Sequence, residues 1–333
     1  MSLTFRALVA DKSAEGFSLT IRNLREDDLP PGELLIQVAY SSVNYKDGLA
    51  CSPVGNIVRK YPFVPGIDLS GIVVNSSDPR FKPGDRVIAT SYDIGVSHFG
   101  GFSEYARVKP EWVLPLPKGL TLREAMILGT AGFTAGLALQ ALSRNGLDPS
   151  KGRVLVTGAT GGVGSLAINI LAGAGYAVSA STGKASEHEF LRDLGASEIL
   201  SREDVSAESS RPLEKERWAG VIDSVGGATL AYAVRATRAG GAIAACGLTG
   251  GTSLTTTVFP FILRGVSLLG VDSEKCPMPL RQSTWERLSS DLKPNALDRI
   301  GFEVGLEDLP RITATILNGG IRGRAVVRLS GQR

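Results

Sequence analysis

The pattern of apolar and polar positions divides the chain near residue 121. Before that point, short apolar runs alternate with turns rich in Pro, Gly and Asp. The clearest runs are ELLIQVAYSSV (33–43), GIDLSGIVV (66–74), DRVIATS (85–91) and SEYARVKPEWVLPL (103–116). Runs of this length between turn residues are typical of β-strands. The first part of the chain is therefore predicted to form a β-rich domain, antiparallel or barrel-like.

Beyond residue 121, short strand-like segments alternate with helical ones. Thr121 and Glu124 have the spacing of a capping box, in which both side chains bond free amide groups at the start of a helix. Strands are predicted within 154–159, 176–181, 218–225, 241–248 and 266–272, and helices follow the first of these and lie within 187–196 and 227–239. This alternation predicts βαβ units and a parallel sheet covered on both faces.

The last part of the chain is interpreted as belonging with the β-rich part before residue 121. A helix is predicted within 306–320, and RAVVRLS (324–330) is predicted to be a terminal strand. We assign this tail to the first domain. The prediction is an α/β protein with one domain over 1–122 and 297–333 and a second over 123–296.

One apolar segment has almost the length of a membrane span. Residues 125–142 carry no charge, and a spanning helix needs about 20 apolar residues. Gly129, Thr130 and Gly132 interrupt the segment early. We interpret it as two short buried helices, and we expect no membrane association.

Composition narrows the function classes. The 333 residues are 43% hydrophobic and carry a net charge of +3, from 36 basic and 33 acidic side chains spread along the chain. Binding to nucleic acid or to an anionic membrane needs clustered positive charge, so neither partner is expected. The three cysteines are an odd number without CxxC spacing, and the first residues contain no long apolar run. We expect no disulfide framework and a cytoplasmic location.

A dense run of glycines marks the start of the second domain's first helix. VTGATGGVG (156–164) is close to the GxGxxG pattern, with one extra residue in the first interval. A strand precedes it, a helix follows, and a second strand ends about 20 residues later. Glycines let the backbone approach a pyrophosphate, which the free N–H groups of the helix then bind. This context favours a dinucleotide site over a merely tight turn.

The end of the next strand indicates which dinucleotide binds. An NAD site usually has Asp or Glu there, to bind the ribose hydroxyls. This chain has Ser181, Thr182, Gly183 and Lys184 instead, and Arg202 follows the strand after that. Hydroxyl groups and cations suit a 2′-phosphate, so NADPH is favoured over NADH. The alternative is that Lys184 and Arg202 are ordinary solvated cations.

The order of several segments resembles a known superfamily along nearly the whole chain. These segments are SSVNYKD (41–47), VPGIDLSG (64–71), KPGDRV (82–87), GGFSEYARV (100–108), GTAGFTA (129–135), VTGATGGVG (156–164), DSVGG (223–227) and IRGRAVVRL (321–329). Together they resemble the zinc-free medium-chain dehydrogenases/reductases. SSVNYKD, the STGK segment, LSRED and FPFILRGVSLLGVDS are similar to the NADPH-dependent acrylyl-CoA reductase branch of the quinone oxidoreductase-like group.

The resemblance implies a GroES-like catalytic domain over 1–122 and 297–333, a Rossmann NADPH-binding domain over 123–296, and a homodimer. It also implies cofactor contacts from Tyr45, Thr160, Gly161, Gly162, Val163, Ser181, Thr182, Gly183, Lys184, Arg202, Leu248, Ile262, Ser273 and Asn318. Leu248, Ile262 and Ser273 are expected in loops near strand ends, with a core position as the alternative for Leu248 and Ile262.

Departures from the wider superfamily predict that no metal is bound. Zinc alcohol dehydrogenases carry a cysteine and a GHE sequence where this chain has NYKDGL (44–49) and Gly66-Ile67-Asp68. A zinc site needs three or four converging ligands. With three scattered cysteines and only His98 and His188, the expectation is metal-free chemistry.

The reaction implied by the resemblance is hydride transfer from NADPH to the β-carbon of acrylyl-CoA, followed by protonation of the α-carbon. Tyr45 is the candidate catalytic hydroxyl, because an unperturbed phenol is protonated at neutral pH. The alternative is that its ring only packs while water supplies the proton. Asp47 is expected to orient the loop or to cap backbone groups, and His98 to be loop structure or a contact at substrate entry.

Other roles and functions stay open from the sequence. Lys46, Arg322 and Arg324 are candidates for the phosphates of coenzyme A, or else solvated cations. A quinone reductase of the same fold is the second candidate function, because fold alone does not decide substrate. The third is an NADPH-binding protein without catalytic activity.

Overall fold

The computed structural model describes residues 3–14, 16–207 and 209–329, and its contacts divide the chain into two compact units. The first unit comprises Met1–Thr130, Glu274–Ser289 and Leu297–Arg333, and the second comprises Ala131–Ser273 and Ser290–Ala296. The first unit thus extends beyond the predicted limit at 122 and includes 274–289, which the sequence analysis placed in the second domain. The reason is hydrogen bonding: Thr130 bonds Asp68, and Arg281 bonds Thr90.

The first unit is built on a largely antiparallel sheet. Its strands are β1 (Thr4–Ser13), β2 (Gly16–Arg25), β3 (Leu34–Ser42), β4 (Asp68–Ser76), β5 (Arg86–Thr90), β6 (Tyr105–Val108), β7 (Val113–Pro115), β14 (Gly301–Val304) and β15 (Arg324–Arg328). β1 and β2 form a separate hairpin, and the seven-stranded sheet has the order β14-β15-β3-β4-β5-β7, with β6 also paired to β3. Leu34, Ile36 and Val38 alternate along β3 and are fully buried. The β-rich prediction for this part of the chain is confirmed.

Four short helices belong to the first unit: α1 (Tyr45–Ala50), α7 (Met278–Leu288), α8 (Leu297–Ile300) and α9 (Leu309–Leu317). α1 follows directly from β3, the central strand of the sheet, and contacts α9. The α1 helix therefore begins at the point where the sheet ends, and Tyr45 is its first residue.

The second unit is a six-stranded parallel sheet with helices between its strands. In chain order its elements are β8 (Val154–Val156), α3 (Gly162–Gly173), β9 (Val178–Thr182), α4 (His188–Asp193), β10 (Ala196–Ser201), β11 (Trp218–Asp223), α5 (Gly227–Ala236), β12 (Thr237–Ala245), α6 (Phe259–Arg264) and β13 (Ser267–Gly270). The strand order is β10-β9-β8-β11-β12-β13. This is the order 3-2-1-4-5-6 of a Rossmann fold, so the predicted doubly wound sheet is confirmed.

The long apolar helix α2 (Leu122–Arg144) is kinked. It begins with the predicted capping box, since the Thr121 amide donates to Glu124 at 2.8 Å and the Glu124 amide to the Thr121 hydroxyl at 3.1 Å. Gly129 (φ 48°, ψ −155°) breaks it into two helical pieces. Among the described residues it is the one helix long and apolar enough to cross a membrane, and 89% of its most apolar window is buried inside the fold. That burial is typical of a core helix.

Candidate active site and cofactor site

The glycine loop between β8 and α3 has a shape that only glycine permits. Gly158 has φ +60°, and a Cβ on Gly164 would lie 2.4 Å from the carbonyl oxygen of Gly158. Gly161 is the N-cap of α3, and a Cβ there would meet only the Gly158 oxygen, at 3.3 Å. The bare backbone therefore leaves room beside the free N–H groups of α3. This arrangement fits the pyrophosphate of a dinucleotide.

A buried carboxylate ties this loop to the end of the neighbouring strand β11. Thr157 donates its hydroxyl to Asp223 at 2.6 Å, and the Gly226 amide donates to the other Asp223 oxygen at 2.8 Å. The Ser224 amide donates in turn to the Thr157 hydroxyl at 3.2 Å. Burial raises the pKa of Asp223. The sequence did not predict that Asp223 joins these two turns, because DSVGG served only as a marker of the family resemblance.

The end of β9 and the residue after β10 lie together. Ser181 and Thr182 are the last two residues of β9, and the Lys184 amide donates to the Thr182 hydroxyl at 3.0 Å. The guanidinium of Arg202 lies over Gly183, with atoms 3.1–3.2 Å from the position that a Cβ on Gly183 would occupy. The structure thus brings Arg202 to the turn that the sequence selected as a candidate 2′-phosphate site.

The other predicted cofactor contacts are more scattered. Leu248 follows β12 and is 58% exposed, and Ile262 is 68% exposed, so the core alternative for these two is wrong. The expected loop position of Ile262 is also wrong, because it lies in α6, which has Pro at its start and Gly265 in a left-handed C-cap. Ser273 follows β13 and accepts from the Thr134 hydroxyl at 2.8 Å. Asn318 is the C-cap of α9, in the first unit.

Tyr45 projects from a rigid helix start. Asn44 is the N-cap of α1, and its amide donates to Asp47 at 2.7 Å. The other Asp47 oxygen accepts from the Ile67 amide at 2.8 Å. Asp47 is fully buried, whereas Tyr45 is 38% exposed. The predicted loop-orienting role of Asp47 agrees with this geometry, which fixes the backbone of Tyr45 and leaves its ring accessible.

A second buried carboxylate, Asp68, lies under the same helix. It accepts from the hydroxyl of Ser42 at 2.6 Å, from the side-chain amide of Asn44 at 2.8 Å, and from the amide and hydroxyl of Thr130 at 2.9 and 2.6 Å. Burial, and then the neighbouring charge of Asp68, raise the pKa of Asp47 to about 7.

The cation of this cluster is Arg324. Its guanidinium lies 3.6 Å from Asp68 and donates to the Ser42 hydroxyl, to the side-chain oxygen of Asn44 and to the carbonyls of Val43 and Ile127, at 2.7–3.1 Å. Only 2% of Arg324 is exposed. The interpretation of Arg324 as a contact for coenzyme A is therefore wrong, since every one of these bonds is internal.

The kink in α2, at Gly129, lies beside this cluster. A Cβ on Gly129 would lie 2.5–2.6 Å from side-chain atoms of Asp68, Arg324 and Ser42. Glycine is needed because the backbone comes this close and because φ is positive. The Gly129-Thr130 interruption seen in the sequence is thus where the helix backbone joins the buried polar network.

Two other candidates have structural partners. Lys46 forms an ion pair with Glu274, which accounts for its charge without a substrate phosphate. His98 has Nε2 at 2.7 Å from the carbonyl oxygen of Arg107, and its ring lies edge-on to Trp112 at 5.1 Å. Burial lowers the pKa of His98. These contacts agree with the interpretation of His98 as loop structure. Arg322, the remaining candidate for the phosphates of coenzyme A, is exposed.

Within the described residues, no group of three or more His, Cys, Asp and Glu side chains converges as a metal site would require. Cys51 is buried, and burial raises the pKa of its thiol above the ordinary value. Asn44 and Asp68, which lie in the two segments compared above with the zinc-binding segments of alcohol dehydrogenases, both contact the guanidinium of Arg324.

Comparison with known proteins identifies the family. Residues 30–118 match the family model of the alcohol dehydrogenase GroES-like domain, and residues 162–291 match that of the zinc-binding dehydrogenases. A putative quinone oxidoreductase, YhfP of Bacillus subtilis, is 53% identical over 99% of this chain and all of its own length. The chain belongs to the zinc-free medium-chain dehydrogenase/reductase family.

Further relatives are similar to this chain along nearly its whole length. The acrylyl-CoA reductase AcuI of Ruegeria pomeroyi is 50% identical over 97% of this chain and 98% of its own. The crystal structure of the YhdH oxidoreductase of Salmonella enterica, in complex with NADP, is 46% identical, with a TM-score of 0.95 over 98% of this chain and 100% of its own. The structure of YhfP, with a TM-score of 0.96 over 98% of this chain and all of its own, has NAD bound. The fold and the oxidoreductase class predicted from the sequence are confirmed.

Proposed function

We propose that this protein is an NADPH-dependent reductase that converts acrylyl-CoA, and other short enoyl-CoA thioesters, to the saturated thioester. The observation that carries the proposal is its 50% identity to an acrylyl-CoA reductase along 97% of the chain. The structure agrees with this proposal because it offers an exposed hydroxyl, that of Tyr45, for the substrate. A buried network holds the helix that carries this tyrosine, and its members are Asn44, Asp47, Asp68 and Arg324.

The residues of the second unit fit NADPH. The glycine loop from Thr160 to Val163 would hold the pyrophosphate, and Ser181 to Lys184 with Arg202 would hold the 2′-phosphate. When bound, the nicotinamide supplies the hydride that reduces the β-carbon. One relative was crystallised with NADP and another with NAD. The guanidinium over Gly183 favours NADPH here, because a cation at that turn has a phosphate to bind only in NADPH.

The first unit supplies the polar groups for the substrate. Charge develops on the thioester oxygen during reduction, and a donor directed at that charge accelerates the step. Tyr45 is the exposed donor at the start of α1, and the Asn44–Asp47 capping box holds its backbone. Its phenol is proposed to donate a hydrogen bond to the substrate or to deliver the proton that the α-carbon takes up.

Replacing Tyr45 by phenylalanine is expected to lower kcat with acrylyl-CoA by about a hundred- to a thousandfold, the usual contribution of one positioned donor. The ring stays and only the hydroxyl is lost, so NADPH binding is expected to change little. Steady-state kinetics and NADPH titration of the same preparation measure both quantities. Unchanged kcat would remove the hydroxyl from the mechanism. Tyr40→Phe, a change in the neighbouring strand β3, is the matched control.

A quinone reductase remains the second candidate, because the relative at 53% identity is named a putative quinone oxidoreductase. The two activities are separated by kcat/KM for acrylyl-CoA and for a benzoquinone, measured with NADPH under the same conditions. We expect acrylyl-CoA to be preferred by about a hundredfold or more, which corresponds to about 2.7 kcal/mol of transition-state binding. A preference for the quinone would reject the thioester assignment. NADPH binding without turnover of either acceptor would indicate a non-catalytic protein.

We also propose a homodimer, joined at the open edge of the parallel sheet. β13 ends the strand order of that sheet, and Leu268 in β13 is exposed, as are the neighbouring apolar side chains Phe259, Ile262 and Leu263. An exposed apolar edge of this kind usually marks an interface.

Light scattering is therefore expected to give a mass twice that of one chain. Leu268→Lys is expected to shift the protein toward monomer, because it places a charge on the edge strand. Val54→Lys, at an exposed apolar residue of the first unit, is the matched control. A monomeric parent protein would contradict the proposal.

A further inference from the structure

The guanidinium of Arg202 has a defined place but no acceptor of its own among the residues that the structure describes. Arg202 is exposed, and its guanidinium lies 3.1–3.2 Å from the position that a Cβ on Gly183 would occupy. No carboxylate or carbonyl in the described ranges forms an ion pair or hydrogen bond with its guanidinium. An arginine that is placed without a protein partner is available to an anion.

Two features determine where that guanidinium lies. The first is the missing side chain of Gly183, since a Cβ there would come within 3.1–3.2 Å of three guanidinium atoms of Arg202. The φ angle of Gly183 is not among the positive ones, so its backbone does not itself require glycine. A Cβ at position 183 would therefore crowd the guanidinium of Arg202 and displace it by a few tenths of an ångström.

The second feature is a reciprocal cap around the backbone of Arg202. The Ser201 amide donates to Asp204 at 2.9 Å, and the Asp204 amide donates to the Ser201 hydroxyl at 3.1 Å. The Arg202 carbonyl accepts from the Ser206 hydroxyl at 2.8 Å and from the Val205 amide at 3.2 Å. The hydrogen bond from the Ser201 amide holds the pKa of Asp204 below its ordinary value. Arg202 thus projects from a short turn whose backbone is held by hydrogen bonds both before and after this residue.

We propose that Gly183 and Asp204 are positioning residues for cofactor choice, which place the Arg202 guanidinium at the end of β9 and thereby select the 2′-phosphate of NADPH over the free hydroxyl of NADH. Gly183 leaves the space and Asp204 fixes the backbone that carries the side chain. This inference rests on the proposed NADPH site. It adds that discrimination depends on Gly183 and Asp204 through the place that they give the Arg202 side chain.

The test uses binding of two fragments of the cofactor, 2′,5′-ADP and 5′-AMP, to the full-length protein by isothermal titration calorimetry. Arg202→Ala is expected to weaken 2′,5′-ADP by about ten- to a hundredfold, since it removes a charge-assisted contact. Gly183→Val and Asp204→Ala are each expected to weaken it by about three- to tenfold, with 5′-AMP within about twofold of the parent. Gly183→Ala should give a smaller loss than Gly183→Val.

A conservative variant and two double variants distinguish a positioning role from a general loss of structure. Asp204→Asn can still accept the Ser201 amide, so it is expected to retain discrimination. In the Arg202→Ala background, Gly183→Val and Asp204→Ala should have no further effect on 2′,5′-ADP, because their action passes through Arg202. Asp85→Ala is the matched control: it removes a similar cap, in which the Lys82 amide donates to Asp85 at 2.9 Å, in the first unit.

Two results would overturn the inference, and they differ in meaning. If Arg202→Ala weakens 2′,5′-ADP but Gly183→Val and Asp204→Ala do not, or if they weaken both fragments equally, the positioning role is wrong and the NADPH site stands. If Arg202→Ala leaves the ratio of the two fragments unchanged, the assignment of Arg202 to the 2′-phosphate is wrong, and the positioning role falls with it. Thermal unfolding of each variant checks that the fold is kept.

Discussion

Replacing Arg324 by methionine is expected to lower the free energy of unfolding by about 3–5 kcal/mol, the usual cost of removing one partner from a buried ion pair. Arg324 is 2% exposed, and its carboxylate partner Asp68 is fully buried. Methionine fills much of the same volume but leaves Asp68 without its cation. It also removes the hydrogen bonds that Arg324 donates to the carbonyls of Val43 and Ile127.

The same substitution is expected to affect the active site. The Arg324 guanidinium donates to the side-chain oxygen of Asn44, and Asn44 is the N-cap of the helix that begins with Tyr45. Loss of that bond frees the start of α1, so turnover should fall even under conditions where the variant is folded. Arg324→Lys is expected to rescue only part of the stability, because one ammonium group cannot replace donors that reach four different acceptors.

Chemical denaturation at neutral pH measures the effect on stability. Arg322→Met is the matched control, because it removes an exposed arginine two positions earlier in the chain, and a change within about 0.5 kcal/mol is expected. If Arg324→Met costs no more than Arg322→Met, the buried cluster does not depend on its cation.

The second unit could be predicted closely from the sequence because its signals are local. β8, β11 and β13 contain short apolar runs, and the glycine loop lies between the first strand and the first helix of the unit, as predicted. The turn from Ser181 to Lys184 was found by its place at the end of the second strand. The helical position of Ile262 was missed although Pro260 and Gly265 mark the ends of that helix by the usual rule.

The buried network of the first unit could not be predicted in the same way. Its members come from the end of β3, the start of α1, the start of β4, the kink of α2 and the last strand, β15. They meet only because β15 pairs antiparallel with β3, with Val326 opposite Ser42, and because β4 pairs with the other edge of β3. No periodicity in a single segment contains that register, so Arg324 was misplaced as a surface cation.

A local signal for α1 was present and was missed. Asn44 and Asp47 have the spacing of a capping box, with Asn and Asp in the places of the more common Ser/Thr and Glu. The helix is only six residues long and an apolar run ends just before it, so this segment was interpreted as a loop after the strand. The capping residues, more than any periodicity, are what define this helix.

Replacing Asp47 by asparagine is expected to change the pH dependence of stability. The pKa of Asp47 is raised from 3.8 to about 7, mainly by burial and then by the charge of Asp68. Between these two values the folded protein holds a proton that the unfolded chain has released, so the free energy of unfolding falls as pH rises. The stability that this proton supplies is complete below about pH 4 and is lost as pH rises through about 7.

Asparagine stays neutral throughout, so the variant is expected to lack this slope. A shift of this size corresponds to about 4 kcal/mol, so the stability of Asp47→Asn relative to the parent should rise by up to that amount between pH 4 and 8. The absolute stability at low pH is expected to be somewhat below the parent, because the asparagine NH₂ group cannot accept the Asn44 amide, which now donates to Asp47 at 2.7 Å.

Denaturant unfolding at several pH values, for the parent, for Asp47→Asn and for Asp27→Asn, measures the difference between the curves. Asp27 is exposed, so its variant should follow the parent at every pH. Parallel curves for the parent and Asp47→Asn would show that Asp47 is ionised in the folded protein throughout this range, and that the Asn44 and Ile67 amides that donate to it outweigh its burial.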